Sequence, residues 1–100
     1  MLPPIIEFLK DKSVLILGFG REGRSTYRLL TEAGSYAALA IADANTVEID
    51  RSDVTLVCGK NYLDCLDDYD IVFKSPGVVL PKDIGEYRCR ITAQADLFLT

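Results

Sequence analysis

The chain of 100 residues contains no histidine and no tryptophan, only three cysteines, and no basic stripe. Without histidine it lacks the usual general base and triad member, so the acid and base of any reaction it serves are expected to come from elsewhere. Cys58, Cys65 and Cys89 are odd in number and form no CxxC pair. That pattern excludes a disulfide framework and a structural zinc site, and leaves three reduced, mostly buried thiols as the expectation. Eleven basic residues stand singly against fifteen acidic ones, a net charge of −4; counterion release therefore has no patch to act through, and nucleic acid is not an expected partner. No apolar run approaches the roughly 18 residues needed to cross a bilayer. The opening MLPPIIEFLKDK has no basic leader followed by a long apolar region, so a cytoplasmic chain with no membrane partner is expected.

What is present is the composition of one soluble domain. At 49% hydrophobic and 26% charged residues, without internal repeats, the chain is long enough for one modest core and too short for two. Strand and helix signals alternate along it. Pro3 and Pro4 lead into a short helix over Ile5 to Leu9. Ser13 to Leu17 is a continuous apolar run, the mark of a strand buried on both faces and hence of a parallel sheet. From Glu22 to Ala33, Thr26, Leu29, Leu30 and Ala33 recur at helical spacing, with Gly34 where a left-handed cap is wanted. Ala37 to Ala42, ending at Asp43, and Val54 to Val57 supply two more strands, and the polar stretch 44–53 between them holds no helical period. Asn61, with Asp64 three residues on, predicts a short capped helix over Tyr62 to Leu66. Asp70 to Phe73 is a fourth strand, Pro81 to Tyr87 a short helix, Arg88 to Ile91 a fifth strand, and 93–99 the start of a further helix.

Right-handed crossovers make this an α/β chain with a Rossmann-like, doubly wound parallel sheet of about five strands in the order 3-2-1-4-5. Ligands of such sheets bind beyond the carboxyl ends of the strands, where the order reverses. Three stretches converge there. The first is GFGREG, residues 18–23, a G-x-G-x-x-G directly after an apolar strand. In it Gly18 permits the tight turn, Gly20 lets a ligand approach the main chain, and Gly23 lets the helix pack closely on the sheet. The helix start then aims free N–H groups and a positive dipole end at an anion, and Arg21 in that first turn is unfavourable unless something negative lies near or it reaches solvent. A strand–turn–helix also needs glycines for bare packing, so the motif alone admits a purely structural role. The second stretch is Asp43-Ala44-Asn45. Asp43 lies twenty residues after Gly23, where an NAD-binding domain holds a carboxylate for ribose hydroxyls; a carboxylate equally accepts from a pyrimidine imide N–H, or serves as a solvated turn acid. The third is Ser75-Pro76-Gly77, either a strand-terminating turn or a backbone surface for a flat ligand.

VLILGFGREGRSTYRLL, the acid of IADAN, and DIVFKSPGVVLP, in this order and spacing, resemble the N-terminal domain of the D-glutamate-adding members of the Mur ligase family, ATP-dependent ligases of peptidoglycan synthesis. The SPG is the more selective part, and the likeness runs through the closing ADLFLT. It implies that 1–100 is a substrate-binding domain whose glycine loop receives the UDP moiety of UDP-N-acetylmuramoyl-L-alanine. By position, Arg21 and Glu22 lie along the uridine and diphosphate, Asp43 and its followers read the uracil, and Gly77 meets the uracil edge through its backbone. Members of the family commonly carry a hydroxyl side chain after the strand-two acid; here Ala44 stands there, and Asn45 is the candidate to replace it.

The resemblance also implies what lies outside these residues. In the family ATP and Mg2+ are held by a central domain with a GTNGKT-type loop, and a C-terminal domain helps bind D-glutamate. No G-x-x-x-x-G-K-[ST] occurs in this sequence, so no ATP site is assigned here. The implied reaction, activation of the alanyl carboxylate as an acyl phosphate followed by attack of the D-glutamate amine, draws no catalytic residue from this chain, and the isolated domain is expected to be inactive. Two other readings stay open: an NAD-binding domain of a dehydrogenase or regulatory ligand sensor, and a structural domain without a ligand.

Overall fold

The computed structural model describes residues 10–34, 36–49, 52–75, 78, 80 and 84–92. Five strands form one all-parallel sheet: β1 Ser13–Leu17, β2 Ala38–Asp43, β3 Thr55–Cys58, β4 Ile71–Lys74 and β5 Arg90–Thr92. Their order is β3-β2-β1-β4-β5, the doubly wound arrangement expected from the alternation of signals. β1 sits in the centre because it is apolar on both faces: Val14, Leu15, Ile16 and Leu17 are each fully buried. The helix α1, Arg21–Ala33, ends on Gly34 in the left-handed region (φ 67°), whose N–H donates to the Leu30 carbonyl at 2.9 Å. A side chain at that φ would be strained, which is why glycine stops the helix there.

Alternation along the strands splits the core into two layers. Val14, Ile16, Leu39, Ile41, Ile71 and Phe73 face α1 through Leu30, and meet Val47 and Val54 from the β2–β3 connection. Leu15, Leu17, Ala40, Ala42 and Val72 face the other way, onto Leu66 and Cys89, with Tyr62, Leu63 and Tyr69 packed around them. The first crossovers thus cover one face and the later ones the opposite face, and the strand order reverses between β1 and β4. At the amino ends of those two strands, Ser13 donates its N–H (3.0 Å) and hydroxyl (3.1 Å) to the Asp70 carboxylate. These bonds hold Asp70 below the ordinary carboxylate range.

The β2–β3 connection carries no helix among its described residues, as its missing period predicts. Leu56, in register with Ile41, is left 41% exposed on the edge strand. Four expectations need correction. Residues 62–66 are not a capped helix but successive turns running into a 3₁₀ turn, Leu66–Asp68. The backbone bonds there are i to i−3, Asp64 N–H to the Asn61 carbonyl (3.0 Å) and Asp68 N–H to the Cys65 carbonyl (3.0 Å). So short a segment cannot recover the cost of nucleating an α-helix, and tight turns let Tyr62, Leu63 and Leu66 all reach the sheet. Within 81–87 the described part is a 3₁₀ turn, Ile84–Glu86. The strand expected from Arg88 begins at Arg90, because the Arg88 N–H is drawn to the Asp67 carboxylate at 2.8 Å. The cysteines are free, but only Cys89 is buried; Cys65 is half-buried and Cys58, on the edge strand, is exposed. The helices expected over 5–9 and 93–99 lie outside the described residues.

Candidate functional site

The carboxyl ends of β1, β2 and β4 bring together the glycine loop, the Asp43 turn and Ser75. Each of the loop's glycines answers to a different constraint. Gly18 has φ 87°, and a Cβ there would come within 2.8 Å of Val78 Cγ2. Gly23 is pressed against β1, so that a Cβ would overlap the Gly18 carbonyl oxygen and touch Ile16 Cγ2 at 3.5 Å. Gly20 is different: its backbone is extended (φ −84°, ψ −151°), and a Cβ would meet nothing within 4 Å among the described residues. The fold itself requires two of these glycines and leaves the third facing open space.

Gly20 is also the N-cap of α1 and provides no side-chain cap for the first-turn N–H groups. Those donors and the positive end of the helix dipole face the same opening. Arg21 begins the helix and is exposed. Glu22 occupies its first turn, with its side chain outside the described set. Arg24 lies over the Phe19 ring at 4.9 Å, and Phe19 meets Tyr27 edge to face at 5.7 Å. The buried Phe19, with Arg24 and Tyr27, lines a groove of about 340 Å³ beside α1. Neither Phe19 nor Arg24 stood out in the sequence, where only an aromatic at x of G-x-G signals the pairing.

Asp43 is half-buried and engaged with the protein itself. Its Oδ2 accepts the Phe19 N–H at 2.6 Å and its Oδ1 accepts the Asn45 N–H at 2.8 Å. The carboxylate therefore ties the β2 turn to the glycine loop, a role the sequence does not reveal because its partner lies 24 residues away. Each oxygen keeps a further acceptor position for a ligand donor. Ala44 and Asn45 are exposed. On the other flank the Ser75 hydroxyl donates to the Gly18 carbonyl at 3.0 Å, and the Ser75 N–H donates to the Leu17 carbonyl at 3.0 Å. Pro76 and Gly77 lie outside the described residues. The site thus gathers Gly18, Gly20, Arg21, Gly23, Asp43, Ala44, Asn45 and Ser75 at one edge of the sheet.

Chemically this edge presents N–H donors, the Arg21 guanidinium, the Lys74 ammonium, which donates to the Ser75 carbonyl at 3.1 Å, and the Asp43 carboxylate, a set suited to holding an anionic ligand with a polar ring. Among the described residues no group of His, Cys, Asp and Glu could hold a metal ion, and no helix is long and apolar enough to cross a membrane.

No family model matches the chain. Among curated proteins it is 32% identical over 108 aligned positions to UDP-N-acetylmuramoylalanine–D-glutamate ligase of Clostridium botulinum (strain Loch Maree / Type A3), a match covering 93% of this chain and 22% of the ligase. The same enzyme of Streptococcus suis (strain 98HAH33) is 30% identical over 82 positions, covering 74% of this chain and 18% of the ligase. The chain spans about a fifth of the length of the curated relatives it matches. By sequence along nearly its whole length, and with the fold expected from its motifs, it is homologous to the N-terminal part of the UDP-N-acetylmuramoylalanine–D-glutamate ligases of the Mur ligase family.

Proposed function

We propose that the carboxyl edge of this sheet binds the UDP part of UDP-N-acetylmuramoyl-L-alanine, as the substrate-binding domain of an ATP-dependent ligase that adds D-glutamate in peptidoglycan precursor synthesis. The observation that carries the reading is Gly20. Its side-chain position is open space at an uncapped helix N-terminus, whereas Gly18 and Gly23 are explained by the fold alone. A glycine that no described neighbour requires, at a helix start without a side-chain cap, fits a ligand lying directly on the backbone.

In this proposal the first-turn N–H groups and Arg21 meet the diphosphate, with Glu22 alongside. The free acceptor position of Asp43 takes the uracil imide N–H, and the exposed Asn45 stands in for the hydroxyl that Ala44 lacks. The loop from Ser75 through Pro76 and Gly77 borders the uracil edge. The chain supplies binding and orientation; ATP, Mg2+ and D-glutamate belong to the remaining four-fifths or so of a full-length ligase, since no phosphate-loop sequence occurs here. A cytoplasmic location goes with this reading.

Calorimetric titration tests it. UDP and UDP-N-acetylmuramoyl-L-alanine should bind saturably and NAD should not. Each charge-assisted bond made outside these 100 residues is worth about 1.5–3 kcal/mol, so selectivity and not strength is the criterion. A saturable response to NAD exceeding that to UDP would establish a dinucleotide domain instead.

A further inference from the structure

The two side chains that reach the glycine loop hold the same peptide group. The Gly18 carbonyl, which accepts from the Ser75 hydroxyl at 3.0 Å, and the Phe19 N–H, which donates to Asp43 Oδ2 at 2.6 Å, belong to one peptide unit. The preceding backbone rung is complete: Gly18 N–H donates to the Ala42 carbonyl at 2.7 Å, and the Leu17 carbonyl accepts from Ser75 N–H at 3.0 Å. Beyond that rung no further backbone partner for β1 occurs among the described residues of β2 and β4, and Asp43 and Ser75 supply side-chain bonds instead. The Gly18–Phe19 peptide thus keeps the sense of the one before it, N–H toward β2 and carbonyl toward β4, where a continuing strand would reverse it.

We propose that Asp43 and Ser75 are a pair of positioning residues that fix the orientation of the Gly18–Phe19 peptide and, through it, aim the N–H groups that follow at an anionic ligand. The need for such a device follows from Gly18. At φ 87° with no Cβ, the glycine turns its following peptide over at little steric cost. The overturned peptide would lose both side-chain bonds and shift the start of α1, where the donors lie. Ser75 thus acts on the ligand through Gly18, and Asp43 acts through Phe19 as well as through its own free acceptor position.

The ligand arm of the test rests on the uridine reading, while the peptide arm does not. In the 15N-labelled chain, Ser75→Ala should speed hydrogen exchange of the Phe19 amide at least about tenfold and move its proton signal upfield. Ser75→Thr, which keeps the hydroxyl, should restore both. UDP affinity should fall roughly three- to tenfold in Ser75→Ala. Asp43→Ala, which removes the acceptor altogether, should give a similar or larger loss, and the double variant should bind little worse than the weaker single one, because both changes release the same peptide. If Ser75→Ala leaves Phe19 exchange and shift as in the wild type, the pair does not hold the peptide. If the two substitutions multiply in affinity, they act independently, and the proposal is likewise overturned. Should wild-type chain show no UDP response at all, the uridine reading fails while the Phe19 measurement still decides the positioning role.

Discussion

Replacing each loop glycine by alanine separates what the fold requires from what a ligand requires. In Gly23→Ala the new methyl overlaps the Gly18 carbonyl oxygen and meets Ile16, so helix and strand must move apart. Overpacking of this kind costs about 1–3 kcal/mol, or roughly 5–20 °C in thermal midpoint for a domain of this size. Gly18→Ala combines a left-handed φ of 87° with a contact of 2.8 Å to Val78. Strain and crowding together should cost about 2–4 kcal/mol. Gly20→Ala meets no atom of the described residues within 4 Å and needs no unusual φ. Its poorer N-cap is offset in part by the stiffer unfolded chain, leaving a change within about 1 kcal/mol. Its UDP affinity should nevertheless fall at least about tenfold, since the methyl stands where the ligand would contact the backbone and one charge-assisted bond is lost. Thermal unfolding by circular dichroism and calorimetric UDP titration on the same three variants give both quantities. If Gly20→Ala destabilised the chain as much as Gly23→Ala, or bound UDP as the wild type does, the assignment of Gly20 to a ligand would be refuted.

Other regions give independent expectations. Leu30 is fully buried between α1 and the sheet, so Leu30→Ala should cost about 2–5 kcal/mol in chemical denaturation without altering which ligand is preferred. The Asp70 carboxyl is held below its ordinary value of 3.8 by the Ser13 N–H and hydroxyl. Its contribution to stability is therefore complete above that value and lost as pH falls through the lower folded value, and the wild type and Asp70→Asn should differ at neutral pH and converge in denaturation midpoint below pH 3.8. Burial raises the Cys65 and Cys89 thiols above their ordinary range while Cys58 is exposed. Alkylation with iodoacetamide, mapped by mass spectrometry, should label Cys58 first.

The sheet was legible because burial wrote it into composition. A strand covered on both faces must be apolar at every position, as Val14 to Leu17 and Leu39 to Ala42 are, and such runs alternating with polar connections and the helix that stops at Gly34 leave little choice of topology. The short segments over 62–66 and 84–86 were not legible as helix or turn, since Tyr62, Leu63 and Leu66 are apolar in either form and the length of the span decides between them. At the site, the glycines announced the loop, but their division of labour needed coordinates: only contact with Gly18 and Ile16 distinguishes Gly23 from Gly20. The engagement of Asp43 with Phe19 was hidden for a similar reason. A carboxylate placed for a ligand and one placed for a backbone N–H look alike in sequence, and the partner depends on how β1 and β2 register.

The claim that this sheet edge receives a uridine nucleotide is tested most directly by an NMR titration of the 15N-labelled chain with UDP and, separately, with NAD. Saturable shifts on UDP addition should centre on Gly20, Arg21, Asp43, Asn45 and Gly77, fade along α1 toward Gly34, and remain nearly absent with NAD. Shifts from UDP that are scattered and unsaturable, or a saturable set at the same amides produced by NAD in preference, would contradict it.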